Sequence, residues 1–238
     1  MATIIESQNC LSAWKEVCQH ILENGNGFNL LVCITNPLDI NDQQLKEVFT
    51  SDLISKRIVE DVTNTIFPYK FYLRNRDLEP SDFYDLHEKI YLRGKTMHKK
   101  NKSRWGNYFL RFTKFGEEKK NQLQKIIDDL NNRDKNYSAC YYMHVSSADT
   151  DSNTKNIGNP CLQYVQFAQE ENSINLTAIY RNHDFYSKAL GNYIGLSRLL
   201  EYICIKTQKN VGTITCHSIH YYLMQNTKVR NCIDGLSW

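Results

Sequence analysis

The sequence predicts an α+β fold, on three observations. Apolar runs of strand length stand apart along the chain, at Phe28 to Ile34, Cys161 to Phe167 and Ile174 to Tyr180. Other stretches carry apolar residues at helical spacing, such as Leu123, Ile126, Ile127 and Leu130. Strands and helices do not alternate strictly, which argues against a βα-repeat architecture.

In chain order, Leu11, Trp14, Cys18 and Ile21 mark a first helix, with Ser7 or Ser12 as cap and Gly25-Asn26-Gly27 as its stop. The Phe28 to Ile34 strand closes at Asn36-Pro37. Asn41 to Asn64 reads as one or two helices. Ser81 caps a further helix with Phe83, Leu86 and Ile90 on one face. Arg93 to Arg104 is a basic run, with His98 among Lys95, Lys99, Lys100 and Lys102. It reads as a solvated loop or as a loop that meets a phosphate. Asn107 to Phe112 has the composition of a short strand. Glu117 to Leu130 reads as an amphipathic helix with acids in its first turn. Tyr137 to Val145 predicts a strand and Ser146 to Asn156 an exposed polar loop. After the two central strands, Leu190 to Ile205 predicts a helix and Val211 to Cys216 a last strand. No repeat and no composition break marks a boundary, although 238 residues could form one domain or two.

Composition narrows the function classes. With 29 Lys+Arg against 26 Asp+Glu, the formal charge is +3, too small for a protein whose affinity rests on neutralising many phosphates of a nucleic acid. No apolar run approaches the roughly 20 residues that cross a bilayer. The opening MATIIESQNC has no basic region followed by a hydrophobic stretch, so no secretory signal and a cytoplasmic location are expected. Eight cysteines lack both CxxC pairs and zinc-finger spacing, which predicts no metal site. Cys10, Cys18, Cys33, Cys140, Cys204 and Cys216 lie in apolar surroundings and read as small core hydrophobes. Cys161 differs: it follows Gly158-Asn159-Pro160 and opens an apolar segment.

Beyond Cys161 stand Arg181 with Asp184 three residues on, Gly191-Asn192 at the head of an apolar helix, and His220 with Tyr222. Singly, each has an ordinary structural explanation: a core thiol, a local ion pair, a turn, a satisfied imidazole. As an ordered set they resemble the thymidylate synthase and pyrimidine hydroxymethylase superfamily. That family carries a Pro-Cys nucleophile, an Arg-Ser-x-Asp strand end, an Asn eight residues after the Asp, and His-x-Tyr. The matching residues are Pro160-Cys161, Arg181-Asn182-His183-Asp184, Asn192 and His220-Tyr221-Tyr222. CLQYVQF and NYIGLSRLLEYI resemble the family's strand after the nucleophile and its central helix.

The resemblance implies a single domain over residues 1–238, with a mixed β-sheet packed by helices. It also implies a chemistry. The Cys161 thiolate attacks C6 of a pyrimidine nucleotide, and C5 then takes a one-carbon unit from 5,10-methylenetetrahydrofolate. A thiol of pKa about 8.5 is mostly protonated at neutral pH, and Arg181 is the cation expected to lower it while facing the phosphate. Asn182 joins Arg181 at the nucleotide, Asn192 reads the base edge, His220 and Tyr222 hold the sugar hydroxyl, and Asp184 supports the base-binding strand. Asn rather than Asp at position 192 points to a uracil-type base. Trp105-Gly106 stands where the family has Tyr-Gly, which makes Tyr108 a candidate replacement for that Tyr. Glu88 is the counterpart of the family's catalytic Glu, with a solvated helix face as its other reading. A homodimer formed through a sheet face is implied as well, with the Tyr137 to Val145 strand suited to it.

The chain departs from the pattern at Leu162, where the family has His, and near Asn136-Tyr137, where paired arginines reach a neighbouring subunit's phosphate. The family also continues past His-x-Tyr to a tail that closes over the folate, whereas this sequence ends at Trp238. Two functions follow: a C5 transferase, or a non-catalytic nucleotide-binding sensor or partner subunit that keeps the pocket.

Overall fold

A computed structural model describes residues 2–50, 54–97, 105–132, 138–151 and 158–238. Its sheet has the strand order β1 (Thr3–Ser7), β2 (Gly27–Ile34), β7 (Asn210–Tyr222), β5 (Ser173–Tyr180), β4 (Leu162–Glu170), β3 (Tyr142–His144). The two-residue β6 (His183–Asp184) pairs with the end of β7. β1 with β2 and β5 with β7 run parallel, and the other neighbours in that order antiparallel, so the sheet is mixed as the resemblance implied.

Alternation along each strand gives the sheet two unlike faces. Val32, Cys216, Ala178, Val165 and Met143 pair across five strands and are fully buried. On the opposite face Ile4, Leu31, His217, Ile179, Tyr164 and His144 form another rung across all six strands, and none of them is buried. The buried face meets α1 (Cys10–Asn24) and α8 (Ala189–Thr207).

Around these pack α2 (Asp42–Thr50), α3 (Lys56–Ile66), α4 (Tyr69–Arg74), α5 (Pro80–Met97), α6 (Tyr108–Thr113) and α7 (Gln122–Asn132), and α9 (Asn226–Gly235) closes against α1. Phe67, Tyr72, Phe83, Phe109 and Tyr202 form an aromatic part of the one continuous core, with Phe67 and Tyr202 centroids 5.0 Å apart.

The central helix is α8, buried on nearly every side. Two glycines one turn apart let α3 lie directly on it. A Cβ on Gly191 would stand 2.7 Å from Val62 Cβ and 2.8 Å from the Val59 carbonyl oxygen. One on Gly195 would stand 2.9 Å from Ile66 Cβ. Thr63 Oγ1 donates to the Gly191 carbonyl at 3.1 Å across the same seam.

Several sequence expectations are corrected. Asn107 to Phe112 is not a strand: Asn107 Oδ1 accepts from Leu110 N at 2.8 Å and caps helix α6, in which every residue but Leu110 is buried, so that no period shows. The cap of α1 is Asn9, which accepts from Leu11 N and Ser12 N, while Ser7 ends β1. α5 starts at Pro80, ahead of Ser81, because proline suits the first helical position. α7 begins at Gln122, and Glu117 and Glu118 lie in the turn before it, where Phe115 pairs with Lys120. The Tyr137 to Val145 segment yields a three-residue strand after a 3₁₀ turn at Ser138–Cys140, with Tyr137 outside the described residues. Cys140 at that turn is exposed rather than core. β1, α4 and α9 were not anticipated.

Replacing Gly191 by Ala forces α3 off α8. The expected loss is about 1–3 kcal/mol of unfolding free energy in urea denaturation. Gly235→Ala, with nothing within 4 Å of the added Cβ, is expected to be neutral or slightly stabilising.

Candidate active site

Where β5 ends, Arg181 and Asn182 interrupt the pairing with β7 before β6 resumes it. The interruption turns the chain over the start of β4 and the head of α8. A cavity of about 280 Å³ opens there, lined by Cys161, Asn182, Asp184, Asn192, Tyr222 and Tyr108 among others. These six were selected from the sequence. Val62 and Thr65 of α3, Trp105, Asn159, His183 and Lys188 complete its wall. A larger hollow of about 460 Å³ beyond α3, between Ile40, Phe49 and Ile194, holds none of the selected residues.

Cys161 is half-buried just before β4. Its N–H and that of Leu162 both donate to the Tyr108 hydroxyl oxygen at 3.3 Å, and its carbonyl accepts from Arg181 N at 2.9 Å. Burial pushes the Tyr108 phenol up to about 12, so it stays protonated. Having accepted two N–H groups, its oxygen keeps one O–H to donate. Trp105 packs against the Tyr108 ring at 4.8 Å.

Burial raises the thiol pKa of Cys161, Arg181 and Lys188 lower it, and Asp184 raises it. The expected sign of the Arg181 effect holds, but desolvation outweighs it, and the net shift is upward.

Arg181 and Lys188 are exposed. Arg181 Nε donates to the Pro160 carbonyl at 3.0 Å and a terminal nitrogen to the Asn159 carbonyl at 3.3 Å. The guanidinium therefore clamps the loop that carries the thiol and lies just behind the cavity wall. Among the described residues two of its five N–H donors are used, which leaves three for an anion.

His220 also stands behind the wall. Its Nδ1 donates to Asn182 Oδ1 at 2.6 Å, and its ring stacks on Tyr222 at 5.8 Å and meets Phe28 at 5.0 Å. The Asp184 carboxylate accepts from Tyr186 N at 2.9 Å, Ser187 N at 3.3 Å and Ser187 Oγ at 2.6 Å, and so holds the turn into α8.

Glu88 is not brought to this cavity. It lies on α5, 3.2 Å from Lys119 Nζ and 3.9 Å from Lys114 Nζ. Arg93 is exposed on the same helix, while His98, Lys99, Lys100, Lys102 and Arg104 lie outside the described residues, as do Asn136 and Tyr137.

Sequence reasoning passed over Lys188, His183 and Arg111. Lys188 stands four residues after Asp184, at the end of the turn that joins β6 to α8. Arg111 sits in a segment read as a strand. Its guanidinium grips Asp151 through two bonds of 2.6 and 3.0 Å, donates to the Val145 carbonyl at 2.9 Å, and through Nε to the Trp105 carbonyl at 3.0 Å. Both side chains are nearly inaccessible. The pair fixes Trp105 in the cavity wall and draws Asp151 inward, so the polar segment after Val145 is not wholly exposed as expected.

Among the described residues no group of three or more His, Cys, Asp or Glu side chains could hold a metal ion. No described helix is long and apolar enough to cross a membrane.

No protein-family model matches the chain. It is similar to a protein named "Putative thymidylate synthase" from Methanocaldococcus jannaschii, 26% identical over 233 residues, covering 92% of this chain and 89% of that one. Proteins of the same name from Methanosarcina barkeri and Methanococcoides burtonii are each 31% identical, over 121 and 120 residues. In those two matches the chain spans about half the length of the relative, 54% in each case. The three names agree with the resemblance carried by the ordered motifs.

Because burial wins over the two cations at Cys161, its alkylation by iodoacetamide at neutral pH is expected to lag behind that of exposed Cys140. Its rate should rise with pH later than for a free thiol, and Arg181→Ala should delay it further. Peptide mapping of both cysteines across pH 6–10 checks this.

Proposed function

We propose that this thymidylate-synthase-like chain is a transferase acting at C5 of a uridine-type nucleotide through the Cys161 thiol. The observation that carries the reading is the convergence of Cys161, Tyr108, Asn192, Asp184 and Tyr222 on one cavity, with Arg181 tied to the loop behind the sulfur.

The chemistry needs a nucleophile beside C6, a donor–acceptor group at the base edge and cations at the phosphate. Cys161 supplies the first and the Asn192 amide the second. The remaining donors of Arg181 and the Lys188 ammonium in the cavity wall supply the third in place of the family's arginine pair. Tyr108 holds its proton next to the sulfur and fixes the peptide that bears it. Glu88 is too far committed to Lys114 and Lys119 to share in the site as it stands.

Val62 and Trp105 give the cavity an apolar and aromatic side, and this suits a flat one-carbon carrier placed over the base. When bound, 5,10-methylenetetrahydrofolate supplies the one-carbon unit.

The upward shift of the Cys161 thiol favours a second reading, in which the pocket binds the nucleotide without turnover. One experiment separates them. With [5-³H]dUMP, addition of the thiolate to C6 lets C5 take a solvent proton. Loss of tritium from C5 and elimination of the sulfur then restore the ring. Release of tritium to water that disappears in Cys161→Ala supports the transferase. Calorimetric binding that survives Cys161→Ser and fails in Arg181→Ala, with no tritium release, supports the binding protein. No binding and no release overturns both.

A homodimer is part of the same proposal. Among the described residues the opposite sheet face is only half-buried at Leu31, Ile179 and Tyr164 and exposed at Tyr142, and a second copy of this face would cover it. Sedimentation is expected to give twice the chain mass of 27.9 kDa, falling toward one chain in Ile179→Glu. A wild type that sediments as a single chain at every concentration overturns this part.

A further inference from the structure

His183 is buried on β6, its ring stacked on Tyr180 at 4.1 Å with an interplanar angle of 8°. Nδ1 lies 2.8 Å from Ser218 Oγ on β7, and Nε2 lies 3.1 Å from Asn192 Nδ2 on α8. An amide nitrogen only donates, so Nε2 accepts and carries no proton. A neutral imidazole then bears its hydrogen on Nδ1 and gives it to Ser218 Oγ. Burial pushes the His183 pKa down to about 3, so the ring remains neutral near physiological pH.

Among the described residues no other side-chain hydrogen bond engages the Asn192 amide, which lines the cavity with one N–H and its carbonyl oxygen uncommitted. A primary amide can read either pyrimidine by turning over. Uracil offers a donor at N3 and an acceptor at C4, whereas cytosine offers an acceptor at N3 and a donor at C4. Turning the Asn192 amide over would set its oxygen against the lone pair of Nε2, two acceptors facing each other without a proton between them.

We propose that His183 is a positioning residue that sets base specificity, by fixing the Asn192 amide in the orientation that matches a uracil-type edge and opposes a cytosine-type edge. The proposal rests on the pyrimidine reading of the cavity given above. It assigns the choice of base to two side chains acting together, because Asn192 alone would serve either base.

The test is calorimetric binding of dUMP and dCMP to the full chain. Wild type is expected to favour dUMP by roughly 10- to 100-fold, the range set by one or two mispaired buried groups. His183→Phe keeps an aromatic ring beside Tyr180 and removes the acceptor, and it should reduce that preference by about tenfold or more. Ser218→Ala removes the partner that holds the proton on Nδ1, and it should reduce the preference in the same direction and less. Long-range ¹H–¹⁵N correlation spectra of the wild type should show Nδ1 protonated and Nε2 bare, a signature that a purely packing role would not require.

A folded His183→Phe with an unchanged dUMP-to-dCMP ratio overturns the proposal and leaves the pyrimidine reading intact. So does a spectrum with the proton on Nε2. If His183→Phe does not fold, Ser218→Ala and the spectrum decide by the same criteria. Wild type that binds neither nucleotide overturns the reading and the proposal with it.

Discussion

The seam between α3 and α8 is the contact on which the site depends. Gly191 and Gly195 remove two side chains where the helices cross, and Val59, Val62, Thr63 and Ile66 fill the space. α8 is buried along most of its circumference because it has the sheet on one side and α3 on the other, with the Arg198–Glu201 pair on its part-exposed side. The close approach brings Val62 and Thr65 to the same cavity as Asn192 and Lys188. A methyl group at either glycine would move one wall of the cavity away from the other. Gly191, which reads as part of a turn or cap in the sequence, is thus a packing residue within a helix.

The cavity balances burial against charge. The same enclosure that lets directed hydrogen bonds fix Tyr108, His183 and Asn192 also disfavours a thiolate at Cys161. Two cations oppose that cost without overcoming it. Arg181 divides its donors between the loop carbonyls of Asn159 and Pro160 and the open side, so it acts on the sulfur and remains available to an anion. A dianionic ligand here would meet Arg181 and Lys188, both of which lie on the exposed side of the turn.

Strands with one or both faces buried were legible because period-two patterning and β-branched content survive in single sequences, as for Ile174 to Tyr180. Helices with one buried face were legible from a different period, about 3.6 residues, as for Leu123, Ile126, Ile127 and Leu130. α6 was not, since a six-residue element buried at every residue but Leu110 looks like a strand and only its Asn107 cap distinguishes the two. Five of the cavity-lining residues were legible because they stand in an ordered set of motifs, and Tyr108 because it lies close to Trp105-Gly106. His183 and Arg111 were missed because their roles come from partners far away in sequence, Ser218 and Asp151, that no local spacing announces. Glu88 shows the converse: a carboxylate at a suggestive place in the chain is held by Lys114 and Lys119 on the outer surface of the helical layer.

The two hydrogen bonds that Tyr108 receives from Cys161 and Leu162 have a mechanical consequence. β4 starts with a register irregularity between Leu162 and Tyr164, so the first amides of the strand lean on a helix rather than on a neighbouring strand. The peptide that bears the sulfur is thereby suspended between α6 on its N–H side and the end of β5 on its C=O side. Small rotations of α6 against the sheet would then reach Cys161 directly, through a linkage a few ångströms long.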